Sequence, residues 1–214
     1  MNEMKTIVCY GDSNTWGYRP ADGRRAPYHE RWTGILQTLL GDGYLVYEEG
    51  MNARTTGLDD PAEPCRNGLS YLEPCLLTKK PVDLLVIMLG TNDTKVHLGQ
   101  TAFSISKCLE QLIVKAQSPI YGRDGVPEIL VVSPIRIGER IAESCFGDCF
   151  DERSVLTAGE LAPRYRNMAE LHGCHYIDAA KLAAPSPLDQ LHLDKEGHEK
   201  LARAFYQCVK EILG

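Results

Sequence analysis

The 214-residue chain is predicted to fold as an α/β three-layer sandwich, a flavodoxin-like, doubly wound parallel sheet of about five strands. Three observations predict it. Strand-like and helix-like segments alternate from end to end. Two of the strand-like runs, Leu84-Leu-Val-Ile-Met-Leu89 and Ile129-Leu-Val-Val132, are continuously apolar, as strands covered by helices on both faces must be. No repeat, low-complexity tract or linker divides the sequence, so residues 1–214 read as one domain.

The elements follow in order. A short β-branched and apolar run at 6–10 leads into Gly11-Asp12-Ser13, and a helical stretch follows at 31–40. Strand 44–48, helix 70–79, strand 83–89 and helix 102–117 come next. Strand 128–133, helix 154–172, strand 175–178 and helix 195–213 complete the alternation, with Asp194 placed to cap the last helix. Two connections are longer than simple turns, 19–30 and 137–151. Loops after strand C-termini border the ligand crevice of such a sheet. The second carries Ile141, Phe146 and Phe150, too apolar for an idle solvent loop. A lid, a subunit contact and local satellite packing are the alternatives.

Composition narrows the function. Hydrophobic residues make up 43% and charged residues 24%, which excludes disordered and fibrous classes. No apolar run approaches the ~18 residues of a membrane span. The first ten residues lack a signal-peptide core, so a cytoplasmic protein is expected. Against 29 acidic residues stand 23 basic ones, a net charge of −6, and the densest basic cluster, Arg24-Arg25, lies near Asp22 and Glu30. Nucleic acid, which needs a basic face, is not an expected partner. Of eight cysteines, Cys9, Cys108, Cys174 and Cys208 fall in apolar periodic segments and read as core residues. Cys145 and Cys149 form the single close pair, which is too little for a zinc site. Neither metal nor cofactor is expected.

Three short motifs carry chemistry. Gly11-Asp12-Ser13-Asn14-Thr15 follows the first strand, placing a serine where backbone N–H groups can face a developing negative charge. The same residues also suit a capping turn. Position 15 is Thr, so the G-x-S-x-G elbow is absent. Gly90-Thr91-Asn92-Asp93 follows the most apolar strand and aims an amide at the same sheet edge, or forms an Asx-turn. Asp189-Gln-Leu-His192 precedes the last helix; its spacing lets a carboxylate reach the imidazole Nδ1–H and leave Nε2 as a base. Together they supply nucleophile, oxyanion donor and oriented base, the needs of acyl transfer.

With these blocks in this order from Gly11 to His192, the chain resembles the SGNH hydrolases, or GDSL esterases. Gly11-Asp-Ser-Asn-Thr-Trp-Gly-Tyr18, Arg31-Trp-Thr-Gly34, Glu48-Glu-Gly-Met-Asn-Ala-Arg-Thr-Thr56 and Met88-Leu-Gly-Thr-Asn-Asp-Thr-Lys95 are similar to the bacterial arylesterase/acyltransferase branch. The resemblance implies a serine esterase with catalytic Ser13, Asp189 and His192. It implies an oxyanion hole from the backbone of Ser13 and Ala53 and the side chain of Asn92. Ala53 stands where the family usually places glycine. Asp12, Trp16 and Thr91 are the implied substrate contacts, while Asp12 and Asp93 also read as turn-forming and loop-anchoring residues. The expected substrates are short acyl esters such as acetyl esters, with acyl transfer to alcohols as a side activity and a homo-oligomer as the assembled form. Two other classes are consistent with parts of the sequence: a metal-dependent hydrolase built on His192, Asp194 and His198, and a non-catalytic α/β binding protein.

Overall fold

In the computed structural model, which describes residues 3–214, five parallel strands form one sheet in the order β2-β1-β3-β4-β5. They are β1 Lys5–Gly11, β2 Tyr44–Gly50, β3 Leu84–Met88, β4 Glu128–Ser133 and β5 His175–Asp178. The helices are α1 Ser13–Trp16, α2 Trp32–Leu40, α3 Gly68–Lys79, α4 Ala102–Ala116, α5 Glu152–Gly159, α6 Leu161–Leu171 and α7 Lys195–Leu213. Side chains alternate across the strands and so feed two cores. Val8, Tyr10, Leu85, Ile87 and Val131 pack under α3, α4 and α6, whereas Ile7, Cys9, Leu84, Val86, Leu130 and Val132 pack under α2 and α7. That double coverage is why the central strands read as unbroken apolar runs. On α7 the residues Leu201, Ala202, Phe205 and Val209 share one buried stripe, and Phe205 meets the Trp32 ring edge-on at 4.7 Å.

Register positions the site. Gly11 at the end of β1 pairs with Gly50 on one side and Met88 on the other. Three adjacent strands therefore end level, and the loops that leave them emerge side by side. The strand order reverses direction between β1 and β3, which is where an open sheet of this kind forms its crevice.

Two expectations need correction, and one open alternative is decided. The stretch 154–172 is two helices that meet at Glu160. Pro163 has no N–H to offer the Gly159 carbonyl and its ring crowds that carbonyl, so a continuous helix cannot pass. The apolar residues of 137–151 are not an exposed patch: Ile137, Ile141 and Phe150 cluster with Leu191, and Phe146, Cys149, Val155 and Ala158 pack against them. Satellite packing is the outcome, and Phe150 is only 2% exposed. Cys9 is buried as expected, but Cys108, Cys174 and Cys208 are half-buried at the core's margin; none of the eight cysteines is bridged. Among the described residues no helix is long and apolar enough to cross a membrane.

Candidate active site

The first loop of the level edge carries Ser13. Asp12 ends the strand's run and caps α1, its Oδ1 accepting the Asn14 N–H at 3.0 Å. Ser13 is the first residue of α1, so its N–H lies among those a helix leaves without an internal partner. Gly50 has to be glycine here: a Cβ on it would stand 2.1 Å from the Trp16 nitrogen. The end of β2 thus presses directly on the serine turn.

The second loop is tied to the first. Met51 N–H donates to the Gly11 carbonyl at 3.1 Å, and the buried Arg54 guanidinium donates to the same oxygen at 2.9 Å while lying 4.2 Å over the Tyr10 ring. Arg54 N–H closes a turn onto the Met51 carbonyl at 3.1 Å. Ala53 is the third residue of that turn and has φ of 64°, the conformation for which a type II turn favours glycine. The alanine is tolerated at the cost of local strain.

The third loop leaves β3 through Gly90, where φ is 125° and a Cβ would stand 2.3 Å from the Tyr165 hydroxyl. That hydroxyl donates to the Leu89 carbonyl at 3.0 Å and holds the strand end. Asn92, 5% exposed, donates one amide N–H to the Arg54 carbonyl at 3.1 Å, which leaves the second for a substrate oxygen. Asp93 accepts from Thr56 three times, from the backbone N–H at 3.0 Å to each oxygen and from the hydroxyl at 2.5 Å. Asn92 and Asp93 therefore staple the second loop to the third. Burial pushes the Asp93 carboxyl up to about 6 against those hydrogen bonds, and burial likewise pushes Asp12 up to about 6.

From the far side come Asp189 and His192, in the loop before α7. Asp189 Oδ1 accepts the N–H groups of Leu191 at 3.1 Å and His192 at 3.0 Å, while Oδ2 meets His192 Nδ1 at 2.8 Å. His192 Nε2 lies 2.8 Å from Ser13 Oγ. Burial works to raise the Asp189 carboxyl, but the hydrogen bonds from His192 outweigh it and hold the group below the ordinary carboxylate range. Its charged partners include no lysine or arginine. Tyr18 stacks on the imidazole at 4.0 Å, and Phe146 meets it edge-on at 5.3 Å.

The structure thus joins Ser13, His192 and Asp189 in one hydrogen-bonded line and sets Ala53 and Asn92 in neighbouring, stapled loops. Asp12 is 2% exposed and engaged as a cap, Thr91 is 4% exposed, and Trp16 is half-buried with the Arg25 guanidinium 5.4 Å over its ring. His192, Asp194 and His198 do not converge. Asp194 caps α7 through Gly197 N–H at 2.8 Å, and His198 Nδ1 accepts the Trp32 N–H at 3.3 Å. Burial depresses the His198 imidazole to about 4. Among the described residues no three His, Cys, Asp or Glu side chains gather as metal ligands do.

Sequence reasoning missed the contacts of Tyr18 and Phe146 with the imidazole, the Asp93–Thr56 staple, and a second aspartate–imidazole pair. In that pair His97 Nε2 lies 2.9 Å from Asp60 Oδ1, and Lys95 Nζ reaches Asp60 at 2.9 Å and Glu63 at 2.8 Å. Burial opposes the Asp60 charge, yet the hydrogen bonds from Lys95 and His97 win and hold the carboxyl at about 2.

Residues 9–200 match the GDSL-like lipase/acylhydrolase family. The chain is 35% identical to the aryl esterase of M. smegmatis, with a TM-score of 0.91 over 98% of this chain and all of that one. A carbohydrate acetylesterase family member from Sinorhizobium meliloti is 38% identical, with a TM-score of 0.91 over 99% of this chain and all of that one. The acetylxylan esterase of Xylanibacter ruminicola is 27% identical over 95% of this chain, and the chain spans only 43% of that curated relative's length.

Proposed function

Because the chain belongs to the GDSL-like lipase/acylhydrolase family, we propose that it is a serine ester hydrolase in which Ser13, His192 and Asp189 act as one unit. The observation that carries this is the unbroken line Asp189 Oδ2–His192 Nδ1 and His192 Nε2–Ser13 Oγ, 2.8 Å at each contact. Ser13 Oγ attacks the ester carbonyl as its proton passes to His192 Nε2. The carbonyl oxygen becomes an oxyanion, held by the backbone N–H groups of Ser13 and Ala53 and the free amide N–H of Asn92. Asp189 fixes the imidazole orientation and offsets the positive charge that the ring acquires. The alcohol departs with the proton from Nε2. Water then attacks the acyl-serine, its proton taken by the same nitrogen, and the acid is released.

The same acyl-serine supports transfer when an alcohol takes the place of water. Acetyl and other short acyl esters are the proposed substrates. The Ala53 methyl, which glycine would lack, is the proposed restriction on the acyl site, and relatives described as an acetylxylan esterase and a carbohydrate acetylesterase point to acetyl groups carried on sugars. A homo-oligomer is the proposed assembly, implied by the resemblance to the arylesterase/acyltransferase branch alone.

A serine-reactive phosphonate is expected to label Ser13 in the wild type and nothing in Ser13→Ala. Across a panel of acyl esters of one alcohol, kcat/KM is expected to be highest for acetyl. Full activity in Ser13→Ala would overturn the mechanism, and a preference for octanoyl would overturn the acyl assignment alone. Light scattering at micromolar protein tests the assembly, and a monomer would reject it.

A further inference from the structure

The residue beside the nucleophile grips both sides of the base. Asn14 is 4% exposed, and its side chain reaches across to the loop before α7. Its Oδ1 accepts the Leu193 N–H at 2.9 Å, and its Nδ2 donates to the Leu191 carbonyl at 3.4 Å. These are the two neighbours of His192. The Asn14 backbone is itself anchored at both ends: its N–H donates to Asp12 Oδ1 at 3.0 Å, and its carbonyl accepts Trp32 Nε1–H at 3.1 Å.

We propose that Asn14 is the positioning residue that sets the Ser13–His192 contact. The inference rests on the serine mechanism above. Ser13 and Asn14 share one turn, so any shift of the His192 loop away from the nucleophile stretches both amide bonds. A primary amide carries its donor and its acceptor on separate atoms of one short terminus, as two-sided bracketing demands. The Asp189 bonds to Leu191, His192 and the imidazole fix the ring relative to its own loop. They do nothing to fix that loop relative to Ser13. Asn14 supplies the hydrogen-bonded link between the two halves of the site, beside the Tyr18 stack on the imidazole, and a displacement near 1 Å between reacting groups is enough to slow a reaction ~10²-fold.

Two variants and a double-mutant cycle test the proposal. Asn14→Leu keeps the shape and removes both polar groups; Asn14→Asp keeps an acceptor for Leu193 but sets a carboxylate against the Leu191 carbonyl. In both, kcat on an activated acetyl ester is expected to fall ~10²-fold, with KM changed less than about threefold. In the His192→Ala background the same Asn14 changes are expected to cost less than about threefold, because a residue that acts through the base has nothing left to position. Equal losses in both backgrounds would overturn the proposal, as would a folded Asn14→Leu or Asn14→Asp with kcat within twofold of wild type. Phosphonate labelling separates the two levels: an unlabelled wild type overturns the serine mechanism and the clamp with it. A labelled wild type with an additive cycle overturns the clamp alone. If Asn14→Leu does not fold, the Asn14→Asp cycle is read by the same criteria.

Discussion

The protein holds two buried aspartates paired to histidines at almost equal distance, Asp189 with His192 and Asp60 with His97, and only the first pair goes on to meet a serine hydroxyl. The Asp60 carboxylate already meets the Lys95 ammonium, itself 3% exposed and shared with Glu63, so its imidazole adds to an existing ion pair. Asp189 has no cation beside it at rest. Its charge is matched only when His192 takes a proton, the moment at which the transition state needs it. The second difference lies at the far side of the ring, where His192 meets a serine hydroxyl. The Asp–His contact alone therefore identifies nothing; the withheld counter-charge and the third group do.

The sharpest way to break this contrast is to neutralise each acid. Asp189→Asn is expected to lower kcat ~10⁴-fold, with a smaller loss of stability than the change at Asp60 brings. Asp60→Asn is expected to do the reverse, costing about 2 kcal/mol in urea unfolding because the buried Lys95 is left with the more exposed Glu63 as its one carboxylate, with kcat within about threefold. Comparable kcat losses in the two variants would erase the distinction. A smaller effect separates the residues of the third loop. Asn92→Ala is expected to lose ~10²–10³ in kcat at nearly constant KM and still be labelled slowly at Ser13. Asp93→Asn is expected to act mainly on stability, through Thr56.

A third test sorts the acids by sign. Asp60 and Asp189 have lowered values, so the stability they contribute is present above the unfolded carboxyl value near 4 and is lost as pH falls through their folded values, about 2 for Asp60. Asp12 and Asp93, pushed up to about 6, act oppositely: the folded state holds their protons more tightly, and stability drains away as pH rises from about 4 to about 6. Asp93→Asn is expected to flatten that decline by on the order of 2 kcal/mol in unfolding free energy followed across pH. An unchanged slope would show that Asp93 is not one of its sources. The smallest effect is expected at the start of the loop that also carries Asp60. Ala53→Gly relieves the left-handed alanine, so a gain below about 1 kcal/mol is expected, together with a relatively better rate on butanoyl than on acetyl esters.

Strand positions were legible because central strands covered on both faces must be apolar throughout, and 84–89 and 129–132 show it. Ser13, Asn92, Asp189 and His192 were legible because each sits in a short motif beside a strand end or before the last helix. The break at Glu160 was written in Pro163 but masked by the strong helical pattern on both sides. What stayed hidden depends on partners far apart in the chain. Nothing near Phe146 announces a histidine 46 positions later, and nothing near Thr56 announces Asp93. Asn14 was visible as part of a motif, but its grip on Leu191 and Leu193 exists only once the last loop folds over the first.

The aromatic neighbours of His192 also make the site observable. With Tyr18 stacked 4.0 Å above the imidazole, the ring's carbon-bound protons lie in the shielding cone of the phenol and resonate upfield. Among the described residues no other histidine has such a stack, so the His192 signals are expected to stand apart in a proton spectrum. The titration of the base, and any loosening of its loop, can then be followed directly at one resolved resonance, without substrate and without a label.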